Sequence, residues 1–393
     1  MKLLLFEPQL RSNGSHYLNY AVDIGKAAEK SGIRTMVFTD SAIEHDALQT
    51  LKRSNIKVLS VFPSSMISRI RIRAIIWPVM AFFYAWTIIK YSRNISGCHI
   101  ICTVSGTLEY LSGISLAILV GAFRCKILVQ MYSWETREHT SATPNLIRFY
   151  RIITERLVKK AIDKGNLLLG GQGREVAEHI TKHLNRTVPS LPFAIDWSKY
   201  KKNGSTNSPL QIGFLGIMRA EKGFRQFVEA VENLKANVDI IIQAKVPEAL
   251  GESDVPELIE RLKRNHRCQI LKGELSIREY RKVISKIDIA ILPYRPSNFS
   301  TKTSNIFSES VGLGKLIVAP KATLMGKILE TMNTGISYSP YTSKALQDAI
   351  DTAVSNFDEL HHRARKKANS WRDENSAESF IKHILLYAGS APV

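Results

Sequence analysis

The sequence predicts an α/β chain of two doubly wound domains, because one local plan appears twice along it. Lys2–Phe6 is a short apolar run suited to a buried strand. It leads through a polar loop with Gly14 into Tyr17, Tyr20, Ala21, Ile24 and Ala28 at helical spacing. Gly32 then ends that helix, and the β-rich run 33–38 follows. Leu210–Leu215 repeats the plan: it passes through Gly216 and Gly223 into Phe224, Phe227, Val228, Val231 and Leu234, then into a strand over 238–243. Strand, glycine loop, helix and second strand make a βαβ unit, the building block of Rossmann-like domains. Length agrees, since 393 residues exceed one compact core and fit two domains.

The runs 127–132, 166–171, 268–273, 287–294 and 315–320 supply further strands, each near a Gly or Pro. The polar stretch Lys199–Pro209 reads as a linker, which divides the chain into 1–196 and 197–370, with a tail over 371–393. In open parallel sheets ligands bind beyond the C-terminal strand ends. Two such domains facing across a cleft would therefore carry their chemistry in the loops that follow strands.

Charge adds an anionic partner. The chain holds 54 Lys and Arg against 35 Asp and Glu, a formal charge of +19. No acid occurs between Asp46 and Glu109, whereas eight cations do: Lys52, Arg53, Lys57, Arg69, Arg71, Arg73, Lys90 and Arg93. The same region contains Ala74–Ile89, sixteen residues without a charge and interrupted by Pro78. A spanning helix needs about 20 such residues. The basic patch 52–93 thus fits either a helix lying in the headgroup interface of an anionic membrane or a buried core helix with solvated ends. Apolar residues among the cations make poor base-stacking platforms, so nucleic acid is not the expected partner. The four cysteines lack zinc spacing, no Asp-x-Asp metal pair is evident, and no cofactor is implied. The start MKLLLFEP has no long apolar run or cleavage site, so a cytoplasmic location is expected.

Two loops carry candidate chemistry. Gly216–Gly223 follows a strand and opens a helix; Arg219 and Lys222 can reach one anion there, and the flanking glycines allow a tight turn. The second is 291–320, where a strand ends near Pro293 and a Ser/Thr-rich loop follows. A helix over 305–313 then starts behind Thr303 or Ser304 and stops at Gly314. Hydroxyls, free N–H groups and the positive dipole end converge at such a helix start. Glu309, just over one turn in, can accept hydrogen bonds from vicinal hydroxyls; it is also simply a favourable charge in the first turns of a helix.

These segments resemble the nucleotide-sugar domain of the GT-B glycosyltransferases, above all the family-4-like enzymes of bacterial polysaccharide and lipid-linked sugar synthesis. LPFAIDWSKY (191–200) is similar to the segment that ends their first domain. GFLGIMRAEKGFRQFVEAV is similar to their diphosphate-binding strand, loop and helix. SNIFSESVGLGKLIVAP resembles their Glu-Ala-x-Ala-x-Gly-x-Pro-Val-Val block, and SNGSHYLNY resembles their N-terminal glycine loop. The resemblance implies that Arg219 and Lys222 hold the donor diphosphate and Glu309 the ribose. It implies that Ser304, Asn305 and Ile306 present backbone amides to phosphate, and that Gly14 lets the first-domain loop approach. Thr301 stands where the family usually has a glutamate that positions the transferred sugar. The family's acceptor-side histidine is replaced by the region 130–139, which leaves Glu135, His139 and His16 as candidates for a base on the acceptor hydroxyl.

The implied enzyme moves a sugar, without a metal, from a UDP or GDP sugar to a lipid-linked saccharide at the inner membrane face. Domain 1–196 would take the acceptor, 197–370 the nucleotide sugar, and the last helix would cross back to the first domain. A soluble enzyme of the same fold, such as a sugar-nucleotide epimerase or a small-molecule glycosyltransferase, is the alternative. A non-catalytic anion-binding protein is another.

Overall fold

The computed structural model describes residues 2–12, 16–62, 73–93, 98–105, 108–121, 126–132, 134, 144–200, 208–216, 218–244, 254–273 and 275–388. The chain divides into two compact units, Met1–Ile195 with Asn375–Val393, and Asp196–Glu374.

The first unit runs β1 (Lys2–Glu7), α1 (His16–Lys30), β2 (Arg34–Asp40), α2 (His45–Arg53), β3 (Lys57–Phe62), α3 (Arg73–Arg93) and β4 (Cys98–Ser105). It continues with α4 (Leu108–Val120), β5 (Lys126–Met131), α5 (Pro144–Asp163), β6 (Leu167–Gln172), α6 (Arg174–Leu184) and β7 (Ser190–Leu191). Its sheet has seven strands in the order β3-β2-β1-β4-β5-β6-β7, and every pairing is parallel. The glycine signal at the end of α1 holds: Gly32 sits at φ 68°, its N–H donates to Glu29 O at 2.9 Å, and Ile33 donates to Ala28 O at 2.9 Å. Stacked Phe6 and Phe38, 4.5 Å between centroids, with Phe62 edge-on to Phe6, join the three strands on one side of the sheet.

After the second unit the chain returns to the first. Ala377 donates to Ile195 O at 3.1 Å and Asn375 Oδ1 accepts from Phe193 N at 3.1 Å, so exit and re-entry lie side by side. The last helix, α15 (Ala377–Ala388), packs on α1 through Phe380 edge-on to Tyr20 and Lys30 paired with Glu378 at 2.7 Å.

The second unit runs β8 (Leu210–Phe214), α7 (Phe224–Glu232), β9 (Val238–Ala244), α8 (Val255–Lys263), β10 (Cys268–Lys272), α9 (Ile277–Lys286), β11 (Ile289–Ile291) and α10 (Pro296–Phe299). Then come α11 (Asn305–Gly312), β12 (Leu316–Pro320), α12 (Leu324–Met332), β13 (Ile336–Tyr338), α13 (Ser343–Ser355) and α14 (Phe357–Glu374). Its six parallel strands are ordered β10-β9-β8-β11-β12-β13. Strands β11 and β12 are buried at every residue, as expected where helices cover both faces of a parallel sheet. Phe214, Phe224 and Phe227 fill the space between β8 and α7. In both sheets the strand order reverses beside the first strand of the unit, between β1 and β4 and between β8 and β11. That is the switch point at which such sheets hold ligands.

The segment read as a linker is only partly one. Trp197–Lys199 form a 3-10 turn capped by Asp196, and the Trp197 ring lies so close over α11 that a Cβ on Gly312 would come within 2.1 Å of it. The apolar stretch around Pro78 forms α3, which is neither wholly core nor wholly interface. Trp77, Met80, Ala81, Tyr84, Ala85 and Ile88 are buried, whereas Phe82 is 69% and Trp86 58% exposed. Among the described residues no helix is long and apolar enough to cross a membrane.

Candidate functional site

The loops after β8 and β11 flank the switch point of the second unit, and glycines weld them together. Gly223 sits at φ 70°, where a Cβ would meet Pro293 O at 1.9 Å, so only glycine lets the two loops approach. Gly216, at φ 107°, donates to Gln243 Oε1 at 3.0 Å, and a Cβ there would stand 3.3 Å from both Ile306 Cδ1 and Lys222 Nζ. Arg295 N donates to Glu221 O at 2.8 Å, and Tyr341 donates to Pro293 O at 3.0 Å. A cavity of about 360 Å³ opens beside this weld, between Ala220, Gly223, Arg225, Arg295 and Tyr341.

A polar chain runs from one loop to the other. Lys222 Nζ donates to Tyr294 Oη at 3.2 Å and lies 4.8 Å above the Tyr294 ring, while Tyr294 Oη and Ser304 Oγ are 3.4 Å apart. Ser304 occupies the N-cap position of α11 in extended conformation but makes no capping bond with its side chain. The first N–H groups of α11 therefore point outward with no acceptor inside the helix. Of the two cap candidates read from the sequence, the helix takes Ser304. It ends one residue earlier than expected: Gly314, at φ 68°, donates to Val311 O, and Lys315 donates to Ser310 O.

Three polar groups in these loops are buried without a hydrogen-bond partner among the described residues: Arg219 Nε, Thr301 Oγ1 and Thr303 Oγ1. Arg219 has one weak contact, Nη1 to Glu221 Oε1 at 3.5 Å. Unsatisfied buried donors cost about 1–3 kcal/mol each, so three in the two loops that flank the switch point suit a polar ligand. A cation, an ammonium, hydroxyls and free N–H groups all suit an anion.

Glu309, on the fifth position of α11, is 9% exposed, and both its oxygens are engaged. Tyr200 Oη donates to Oε1 at 2.7 Å, and Tyr280 Oη donates to Oε2. Arg281 lies over the Tyr200 ring, 5.5 Å from its centroid. Burial, then the neighbouring Glu309 charge, hold the Tyr280 hydroxyl protonated well above the usual phenol range.

Arg219, Lys222, Thr301, Ser304, Asn305, Ile306 and Glu309, named from the sequence, thus all lie on the two loops and α11. Asn305 is exposed and Ile306 buried. Gly14, Glu135 and His139 lie outside the described residues, as does the side chain of His16, which opens α1. Four residues of the site do not stand out in the sequence: Tyr200, Gln243, Tyr280 and Tyr294. Tyr294 follows β11 in the run LPYRPS, a strand-end signal that could single it out; Tyr280 sits inside α9 with no such mark. Among the described residues no group of three or more His, Cys, Asp or Glu could hold a metal ion.

Residues 209–356 match the family model of the glycosyl transferases group 1. Solved structures share the architecture over the whole chain. A glycosyltransferase from Rickettsia africae is 18% identical with a TM-score of 0.67, covering 99% of this chain and 98% of its own. Sucrose-phosphate synthase from Thermosynechococcus elongatus is 11% identical with a TM-score of 0.70, covering 99% and 100%. The chain has the GT-B fold, and its residues 209–356 carry a glycosyl transferases group 1 domain. The Anabaena protein HepE, solved in complex with UDP, is 15% identical with a TM-score of 0.62, over 99% of this chain and 100% of its own. At such identities the solved structures establish fold alone; the group 1 match spans β8 to α13 and concerns the second unit. No curated protein matches the sequence.

Proposed function

We propose that the enzyme transfers a glycosyl group from a nucleoside diphosphate sugar to a lipid-linked saccharide acceptor at a membrane surface. The observation that supports the donor half is the Lys222–Tyr294–Ser304 contact chain, which ties the loop of Arg219 and Lys222 to the N-terminus of α11 beside the switch point. In glycosyl transfer the departing diphosphate gains charge at the transition state, and preorganised cations with helix N–H groups stabilise it there. Arg219 Nε and the hydroxyls of Thr301 and Thr303, buried without partners, would take phosphate or sugar oxygens. Glu309 would accept from the ribose hydroxyls. UDP is the first donor base to try, since HepE binds it; GDP is the second. Glu135, His139 and His16 of the first unit are the candidates for the base that deprotonates the acceptor hydroxyl.

The acceptor half rests on charge and apolar surface in the first unit: an acid-free stretch from 47 to 108 and exposed aromatics on α3. The deciding experiment is a transfer screen of UDP and GDP sugars against lipid-linked saccharides extracted from membranes, with products identified by mass. A glycosylated lipid establishes the reading. Epimerisation of the donor, or transfer only to small soluble acceptors, overturns its acceptor half. Failure to bind any nucleoside diphosphate overturns its donor half.

A further inference from the structure

We infer that the outer sides of α3 and α5 form a two-helix docking surface for an anionic bilayer. This deepens the membrane-acceptor reading and rests on it for its purpose, though its geometry stands apart from the sugar site. Helix α3 is apolar on both sides. Its inner side packs on α4 so closely that a Cβ on Gly113 would lie 2.6 Å from Tyr84 Cβ and 2.7 Å from Ala81 O. Its outer side presents Pro78, Phe82 and Trp86, one turn apart, followed by exposed Lys90. A helix whose polar side is missing lacks a partner for that side.

Helix α5 extends the surface. Trp77 of α3 stacks on Tyr150 of α5 at 4.5 Å, and Phe149 leans on Tyr150 at 5.9 Å, so a run of rings joins the two helices. Phe149 is 55% and Ile152 42% exposed. Four large apolar side chains on two neighbouring helices are thus held in water, three of them aromatic. Aromatic rings of this kind favour the headgroup level of a membrane.

Charge selects the occupant. Exposed Arg148, Arg156 and Lys160 line α5, and its acids are neutralised: Glu155 pairs with Lys159 at 2.6 Å, and Asp163 with Arg186 at 2.8 Å. No acid lies within α3. A second copy meeting this surface would oppose cation to cation, whereas an anionic leaflet attracts every Lys and Arg held near it. The docked helix lies on the membrane, since its inner side is committed to α4.

The test is flotation of the full chain with phosphatidylcholine vesicles, with and without phosphatidylglycerol. Wild type is expected to float with the anionic vesicles alone and to lose binding in high salt. The double variants Phe82→Ser/Trp86→Ser and Phe149→Ser/Ile152→Ser should each weaken binding at least about tenfold. Arg148→Glu/Arg156→Glu should do so at low salt only. All three should melt as wild type does, because the changed side chains are exposed, and should keep transfer to a water-soluble, short-chain acceptor. Equal binding to neutral vesicles, or variants that float like wild type, would overturn the proposal. So would a dimer of the wild type that the same serine variants dissociate. Vesicle binding by a chain that glycosylates no lipid supports the docking surface and sinks only the acceptor assignment.

Discussion

Tyr280 and Glu309 are joined hydroxyl to carboxylate beneath the start of α11, and Tyr200 takes the other carboxylate oxygen at 2.7 Å. The two tyrosines fix the orientation of the carboxylate. Glu309 is therefore a held carboxylate, and its proposed contact with ribose is open to direct test.

Glu309→Gln should lower nucleoside diphosphate affinity by about ten- to a hundredfold, the usual range for a hydrogen bond to a charged group. The loss should be smaller for the 2′-deoxy nucleotide, since one of the hydroxyls at stake is already gone. Calorimetry with UDP and 2′-deoxy-UDP reads both. Equal losses for the two ligands would remove the ribose from Glu309. Tyr280→Phe should reduce the preference for ribose over deoxyribose while leaving diphosphate binding in place.

Arg219→Ala with Lys222→Ala removes both loop cations at once. Without these two charge-assisted bonds to phosphate, nucleoside diphosphate binding should weaken at least about a hundredfold and turnover should cease. Stability should hold, because Arg219 keeps a single weak contact and Lys222 lies at the end of its chain of polar partners. Unchanged affinity in the double variant would show that phosphate binds elsewhere.

Gly223→Ala tests the weld between the loops. A methyl group there meets Pro293 O at 1.9 Å, and the residue must hold φ 70°. The left-handed conformation alone costs roughly 1–2 kcal/mol for a residue with Cβ, and the backbone collision adds to it. A loss of at least about 2 kcal/mol in urea unfolding is expected, with weaker donor binding in whatever remains folded. Wild-type stability in the variant would mean that the loops separate freely.

These sites show where the sequence speaks and where it is silent. β11 and β12 are covered on both faces, so each is a short continuous apolar run, and the neighbouring Gly and Pro mark it as a strand. β3 escapes the pattern because it is an edge strand with Lys57 and Ser60 exposed, and β13 because it has three residues. Arg219, Lys222 and Glu309 are legible because chemistry in this fold sits at strand ends and helix starts. Tyr200 is hidden in a polar stretch that reads as linker, and Tyr280 on a helix whose own periodicity says nothing of α11. The outer side of α3 is ambiguous for a different reason. Sixteen uncharged residues fit a core or an interface equally, and only burial, residue by residue, separates them.

Lys315 gives the protein a pH dependence of unusual sign. It lies between α11 and β12, 7% exposed, with Nζ donating to Ser285 O at 2.7 Å. Burial drives its pKa down from the ordinary 10.5 to about 8; nearby Asp288 opposes that fall, and Arg365 adds to it. The unfolded chain therefore holds this proton more tightly than the folded one. Below about pH 8 the lysine is charged in both states and the full cost of burying the charge is present. Between about 8 and 10.5 that cost disappears, and stability from this group rises with pH by up to about 3 kcal/mol. His361, pushed down by burial and then by Arg365 and Lys315, acts in the same sense at lower pH, where acidification below its ordinary 6.5 destabilises the fold. Lys315→Met should consequently be the more stable chain at pH 7, with its advantage shrinking steadily as pH rises toward 10.5. Thermal melts of the two proteins across that range measure the difference, which cancels the titration of every other group. A difference that stays flat would mean that Lys315 keeps an ordinary pKa, and one that grows with pH that Asp288 raises it.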